Sequence, residues 1–488
     1  MTIAVLLIAG LPLAAALASW LGRGEALAAP ASVAAALGCF AAALVAVFGL
    51  GAAEGERALG SIVYLDGLGG VFLLAASGVY LLVAVYSAGY LRPGVGHVRL
   101  RRLYWPLLNL FGFALVATPL ADNLAVLWVA VELTTVVSAV LVTSEGTDAS
   151  LEAAWKYLVI GSAGLAVGLL GIVVLYLAAA PVLGGSFSPR VTVLAPVAGS
   201  LDPGLARAAF ALVIVGFGTK VGLVPMHAWL PDAHSEAPSP VSAMLSGALL
   251  AAALYAVLRI GAIAEAATGP TYVHTLLLVF GAASLVLAGL FALRQANYKR
   301  LLAYSSIEHM GIVALGIGIG GPVAAYGAFL HVLAHAAAKA LAFFGAGELL
   351  SRFETREAAG VRGVMRTAPL AGVMVLAAAL AIGGMPPFAV FRSELLIVSG
   401  GFARSSYFLA GLLVVVANVA FAGIYRTFHV MVLSPAEGAS ERAARAPQPL
   451  MGAAMLGCVA ALVALGLWIP APLDQLLQSA AGVIGART

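Results

Sequence analysis

The sequence predicts an all-α polytopic membrane protein of about fourteen transmembrane helices, two of them broken. Three observations carry that prediction. Of 488 residues, 62% are hydrophobic and 9% are charged, with a mean hydropathy of +1.06, a composition that water-soluble domains do not approach. Apolar runs long enough to cross about 30 Å of hydrocarbon fill the chain from end to end and leave no room for a soluble domain. Two of those runs are interrupted by glycine and proline beside an ionisable residue, a pattern that marks ion paths through membranes.

The runs fall near residues 2–21, 28–50, 68–91, 104–120, 122–143, 155–180, 205–229, 240–263, 272–293, 301–320, 325–350, 368–398, 405–433 and 450–470. The first has no basic n-region and no A-x-A-like site before Arg23, so a retained helix is expected rather than a cleaved signal. The tail after Pro472 is short and uninformative. Sixteen of the 25 lysines and arginines, Lys299 among them, fall in connections after odd-numbered runs; six, including Arg259 and Arg487, fall in the others. The positive-inside rule then places the basic loops in the cytoplasm and both termini outside. The net charge of +4 reflects that topology, and no nucleic-acid footprint is visible. Cys39 and Cys458 stand singly in separate runs without a C-x-x-C, which argues against an iron–sulfur cluster, a c-type haem or a thiolate zinc site.

Within run 5, WVAVELTT at 128–135 puts Glu132 about midway through a span. Gly164 and Gly168 form a G-x-x-x-G in run 6, read as close helix packing. Run 7 carries Lys220 in a stretch with no other charge from Arg207 to Asp232, followed by Pro225. An ammonium at the bilayer centre costs roughly 3 kcal/mol or more. Burial and a neighbouring charge shift a carboxylate and a lysine in opposite directions, so a Glu132–Lys220 pair would be poised to take up or release a proton; the alternative is a static ion pair. The string GFGTK at 216–220 lacks the spacing and the preceding strand of a phosphate loop.

The segment HAWLPDAHSEAPSP at 227–240 reads as a polar cytoplasmic turn, with His227, Asp232, His234 and Glu236 as a proton entrance, a docking surface or a cap. Glu152 and Lys156 open run 6 as an i,i+4 pair, either accessory to that entrance or an interfacial ion pair. Lys299 stands at the entrance to run 10, and Glu308 and His309 lie inside it, where they could link the two halves. In run 11, His331, His335 and Lys339 recur every four residues on one face, a spacing suited to a water-bridged relay because histidine titrates near neutrality. Zinc chelation by H-x-x-x-H is the alternative; the H-E-x-x-H glutamate is missing and no third ligand is evident, so no metal is assigned. Run 12 reaches Gly383-Gly384-Met385-Pro386-Pro387 and then Glu394. Two interrupted helices five apart suit an inverted repeat.

The strings GFGTKVGLVPMHAWLPDAHSEAPSPVSAMLSG (216–247), NYKRLLAYSSIEHMG (297–311), GGMPPFAVFRSELL (383–396) and the His331/His335/Lys339 helix resemble the antiporter-like membrane subunits of respiratory complex I, Mrp-type cation/proton antiporters and energy-converting nickel–iron hydrogenases. The resemblance spans about Asp66 to Arg426, and SSIEHMG is closest to the hydrogenase-4 component F branch. It implies N-terminal helices over 1–103, a five-helix repeat over 104–265 (helices 4–8), its inverted copy over 266–433 (helices 9–13), and a connector with the last helix over 434–488. It also implies proton translocation through Glu132, Lys220, His331, His335, Lys339 and Glu394, and Glu308 and His309, read from the residues alone, are expected on the same path. One position departs: where relatives place a lysine or histidine on helix 8, this chain has Ala251 and Ser246, which leaves a gap after Lys220. No cofactor is expected in this chain. Iron–sulfur clusters and a NiFe site would belong to peripheral redox subunits on the cytoplasmic side, with other antiporter-like and small membrane subunits as neighbours in a prokaryotic inner or plasma membrane. Alternatives are Na+/H+ exchange of the Mrp type, the membrane part of an inorganic-carbon uptake system, and a passive scaffold.

Overall fold

A computed structural model describes residues 1–22, 25–49, 55–92, 98, 100–184, 188–435 and 448–485. Arg23, Arg99, Arg442, Arg445 and Arg487, which enter the charge count, lie outside the described residues. The helices are α1 (Thr2–Leu21), α2 (Glu25–Phe48), α3 (Gly67–Tyr90), α4 (Arg101–Ala117), α5 (Leu124–Val142), α6 (Asp148–Leu183), α7 (Val191–Val197), α8 (Pro203–Val221), α9 (Leu230–Glu236) and α10 (Ser239–Met244). They continue with α11 (Leu250–Thr268), α12 (Pro270–Ala292), α13 (Tyr298–Ile319), α14 (Pro322–Phe353), α15 (Val364–Thr367), α16 (Pro369–Ile382), α17 (Ala389–Ala403), α18 (Tyr407–Leu433), α19 (Pro449–Leu467) and α20 (Ala471–Val483). One small hairpin, β1 (Glu56–Ala58) against β2 (Val63–Leu65), precedes α3.

Among the described residues thirteen helical segments are long and apolar enough to cross a membrane. The remaining predicted crossing, run 12, is divided: α16 has 14 residues and α17 has 15, each about 20 Å long at 1.5 Å per residue and too short to span alone. Among the described residues the fourteen runs thus match these thirteen segments and the α16–α17 pair. Through a π-helical turn at Leu245–Leu249, α10 and α11 join into one segment whose apolar window is wholly buried. Nearly as buried are α13 and α14. These central elements can hold charge because neighbouring helices shield it from lipid, whereas α6 turns Leu151, Trp155, Val159 and Leu170 outward.

Small residues set the closest approach. Gly164 and Gly168 of α6 face Thr219 and Phe217 of α8, and Gly216 meets the backbone at Gly168, so a Cβ at any of them would collide. That is the packing role read for the G-x-x-x-G.

Three expectations need correction. Arg259 is no loop cation: it lies inside α11 with 3% exposure, because a buried carboxylate, Asp66, meets it there. Nor is Lys299 a surface anchor; it is fully buried, its ammonium donating to the Ala237 carbonyl. The tail is not featureless, since α20 packs Leu473, Leu476 and Leu477 against the bundle and its Asp474 accepts a 2.7 Å hydrogen bond from Tyr326.

Candidate functional site

Both breaks are built from chemistry visible in the chain. Gly222, left-handed at φ 81°, ends α8 two residues after Lys220. The backbone freed by the break needs partners at membrane depth. Ser284 of α12 accepts from Val224 N–H at 2.9 Å, and the Trp229 indole N–H donates to the Thr219 carbonyl at 2.8 Å. Beyond Trp229 the chain does not form the predicted polar turn. It re-enters the protein as α9, with Leu230, Pro231, Ala233 and His234 buried, because the apolar residues of WLPDA pack inward. In the second break, Gly384 takes φ +66°, and a side chain there would run into the Glu394 carboxylate.

Lys220 is fully buried. Its ammonium donates to the hydroxyl of Tyr157 on α6 and lies 5.7 Å from the centre of the Trp229 ring. Tyr157 shares a 2.7 Å hydrogen bond with Ser138 of α5. Glu132 accepts from Ser162 at 2.7 Å and from Thr135 at 3.3 Å. The predicted direct pair is thus corrected: among the described residues no ion pair joins Glu132 to Lys220. They remain within electrostatic reach, with α5 and α6 hydroxyls satisfying each charge separately. Those hydroxyls were missed; their signal is Thr134, Thr135 and Ser138 inside an otherwise apolar run.

In the second half, His331, His335 and Lys339 lie buried along α14 as spaced. His309 of α13 joins them. Its Nδ1 is 2.8 Å from Nε2 of His331, and its ring lies 5.1 Å from that of His335. Ser393 bonds the other nitrogen of His331 at 2.9 Å. Lys339 donates to Ser305 and to the Leu302 carbonyl. Glu308 is buried, within electrostatic reach of Lys339 and Glu394. His309 and Glu308 are thus placed in the second-half cluster.

The helix 8 gap is filled otherwise than expected. Ser246, in the π-helical turn, hydrogen-bonds Ser306 at 2.8 Å, and its carbonyl meets His335 at 3.3 Å. His234, assigned from sequence to an entrance, is fully buried between Trp229, whose ring is 6.0 Å away, and Phe343, 5.8 Å away. It stands between the Lys220 and Lys339 environments.

The other accessory residues form a network at the basic end. Lys156 pairs with Glu152 at 2.6 Å and with Asp232 at 3.3 Å, Asp232 with Arg300 at 2.8 Å, and Glu236 with Arg356 at 2.6 Å. Arg356 also grips Glu145. His227 stays half-buried outside this network.

A group of three possible metal ligands, unseen in the sequence, does exist among the described residues: ligand atoms of His309, His331 and Glu394 lie within 4.8 Å of one another. Nδ1 of His309 and Nε2 of His331 already share a hydrogen bond, one donating and the other accepting.

The residues 121–420 match the family of NADH:quinone oxidoreductase/Mrp antiporter transmembrane subunits. The chain belongs to that family. It is 37% identical to the hydrogenase-4 component F homolog of Methylacidiphilum infernorum over 73% of this chain and 76% of that protein. To the NADH-quinone oxidoreductase subunit N of Desulforudis audaxviator it is 30% identical over 79% and 75%. A subunit of an archaeal membrane-bound sulfane sulfur reductase superposes with a TM-score of 0.87 at 25% identity, covering 99% of this chain and 98% of that one. This is an antiporter-like integral membrane subunit of the kind found in multisubunit membrane complexes.

Proposed function

We propose that this chain translocates protons as a subunit of a membrane-bound redox complex, of the group 4 nickel–iron hydrogenase or complex I-like quinone oxidoreductase type, and carries no redox centre itself. The observation that supports the reading is the buried series of titratable groups, Lys220, His234, Lys339, His335, His309 and His331, running through the protein core between two broken helices. Sequestered charge of this kind is costly and serves ion movement. Glu132 and Glu394 stand at the two ends, both only partly buried. Redox chemistry in partner subunits, holding iron–sulfur clusters and a NiFe site on the cytoplasmic side, would perturb one end and shift protons along the series. The two breaks are the paired centres of an inverted repeat over 104–265 and 266–433, the membrane is a prokaryotic inner or plasma membrane, and the termini face outward.

Lys220→Met decides the reading. Redox-driven proton uptake by the complex in sealed vesicles is expected to be abolished while subunit composition stays intact; unchanged pumping sinks the assignment. The family to which the chain belongs also includes Mrp antiporters, so exchange of Na+ for H+ is the second reading. Gradient-driven exchange without any electron donor would favour it.

A further inference from the structure

At the end of the molecule opposite the basic loops lies a second cluster of buried charge that the relay does not use. Asp66 caps α3, accepting from the Gly69 N–H at 2.9 Å. Its two oxygens each take a guanidinium N–H of Arg259 at 2.6 Å. Tyr255, one turn earlier on α11, accepts from Arg259 at 3.1 and 3.2 Å and donates to the Pro119 carbonyl at 3.2 Å. Burial works against the charge on Asp66, yet the Arg259 guanidinium and the Gly69 N–H hold its carboxyl below the usual carboxylate range.

The pair forms the floor of a cavity of about 520 Å³, with Tyr64, Thr192 and Glu265 in its wall and exposed Ala195 and Ala266 at its rim. A buried ion pair is weak evidence for stability, since apolar residues of similar volume hold a fold as well. Behind the pair comes a buried aromatic layer. Tyr255 packs on Phe72 at 5.5 Å between ring centres and Phe72 meets Phe329 edge-on at 6.4 Å; Phe329 precedes His331 by two residues on α14. From the surface inward the order is open cavity, ion pair, aromatic trio, relay histidine.

We propose that this cavity is the vestibule through which the transported proton meets the aqueous phase on that face, and that Asp66, Arg259 and the trio Tyr255, Phe72 and Phe329 form its gate. The inference rests on the reading of the chain as a proton-translocating subunit. While the pair is closed, a fixed guanidinium charge and an apolar constriction both exclude hydrated cations. A proton from water in the cavity neutralises Asp66 and frees Arg259, which releases the trio. The same proton then leaves Asp66 inward for the relay, and the restored carboxylate recaptures the guanidinium.

The test uses the assembled complex in sealed vesicles with this face outward. Thr192→Cys and Ala266→Cys are expected to react with a charged, membrane-impermeant maleimide, against the low background left by the buried native Cys39 and Cys458. Asp66→Asn keeps a capping oxygen for Gly69 but frees Arg259. It should slow redox-driven translocation, or raise passive proton leak, by about tenfold, the kinetic equivalent of losing one charge-assisted hydrogen bond. Should Asp66→Asn fail to assemble, Phe329→Ala is read instead, with the same rise in leak. Cavity cysteines that stay unreactive overturn the vestibule, and an assembled gate variant that pumps and holds a gradient like wild type overturns the gate. A wild-type complex that pumps no protons at all sinks the proposed function instead, and the labelling still judges the vestibule.

Discussion

The two halves of the molecule break a helix in similar ways and surround the break with different chemistry. Around Lys220, hydroxyls intervene: Ser138 and Tyr157 on one side, Ser162 and Thr135 on Glu132. Around Lys339, imidazoles lie close to one another, with His309 bonded to His331 and its ring 5.1 Å from that of His335, tilted by 48°. Hydroxyls can relay a proton but hold none at neutral pH, whereas imidazoles can store one. The first break is a site where each charge is held by its own hydroxyl partners, and the second is one where imidazoles bond directly to one another. The breaks also differ in exposure. Both have exposed residues, Pro225 and Ala228 in the first and Met385, Pro386 and Pro387 in the second, but Glu394 is half-buried while Lys220 is enclosed.

Short of removing Lys220 itself, the largest effect should come from the imidazole side. His331→Gln keeps hydrogen-bonding capacity toward His309 and Ser393 but cannot titrate. Coupled translocation is expected to fall roughly a hundredfold, the scale on which a positioned acid–base group acts, with the complex still assembled. Pumping within twofold of wild type would mean that the second half, like the first, only conducts through hydroxyls and water.

Tyr157→Phe probes the hydroxyl side. It removes the acceptor that holds the Lys220 ammonium while leaving the ring against Trp229, 4.5 Å away. The loss of one hydrogen bond to a charged group, about 1.5–3 kcal/mol, predicts a slowing of about tenfold, measured as proton uptake per electron. A loss as severe as that of His331→Gln would erase the distinction between a hydroxyl half and an imidazole half.

How much of this could be read in advance follows from where each signal resides. The fourteen apolar runs and both breaks were legible because hydrophobic length and Gly/Pro punctuation are local properties, and the α14 face was legible because i,i+4 spacing is fixed by helix geometry. Lys220 and Glu132 were legible as charges inside apolar runs, but their separation was not. Which hydroxyl reaches which charge depends on the α5–α6–α8 packing set by Gly164, Gly168 and Gly216, a tertiary property. Asp66 and Arg259 are 193 residues apart, and Arg259, near the end of an apolar run, looked like any other interfacial arginine. His234 was misplaced for the converse reason: a polar composition at 232–236 suggested a surface turn, while the buried register of α9 turns its imidazole inward and leaves Asp232 and Glu236 to the ion-pair network.

The smallest effect is expected at that network's exposed edge. Lys156 and Glu152 face solvent, with side chains 47% and 68% exposed, so their 2.6 Å pair is screened and entropically costly to hold. Asp232 keeps a second partner in Arg300 when Lys156 is removed. Lys156→Ala should therefore change translocation by less than about twofold and leave assembly untouched. A larger loss, rescued by Lys156→Arg, would show that the charge on Lys156 tunes Asp232 and that protons enter the Lys220 half there, which would turn the accessory residues into part of the path and make the two halves less alike still.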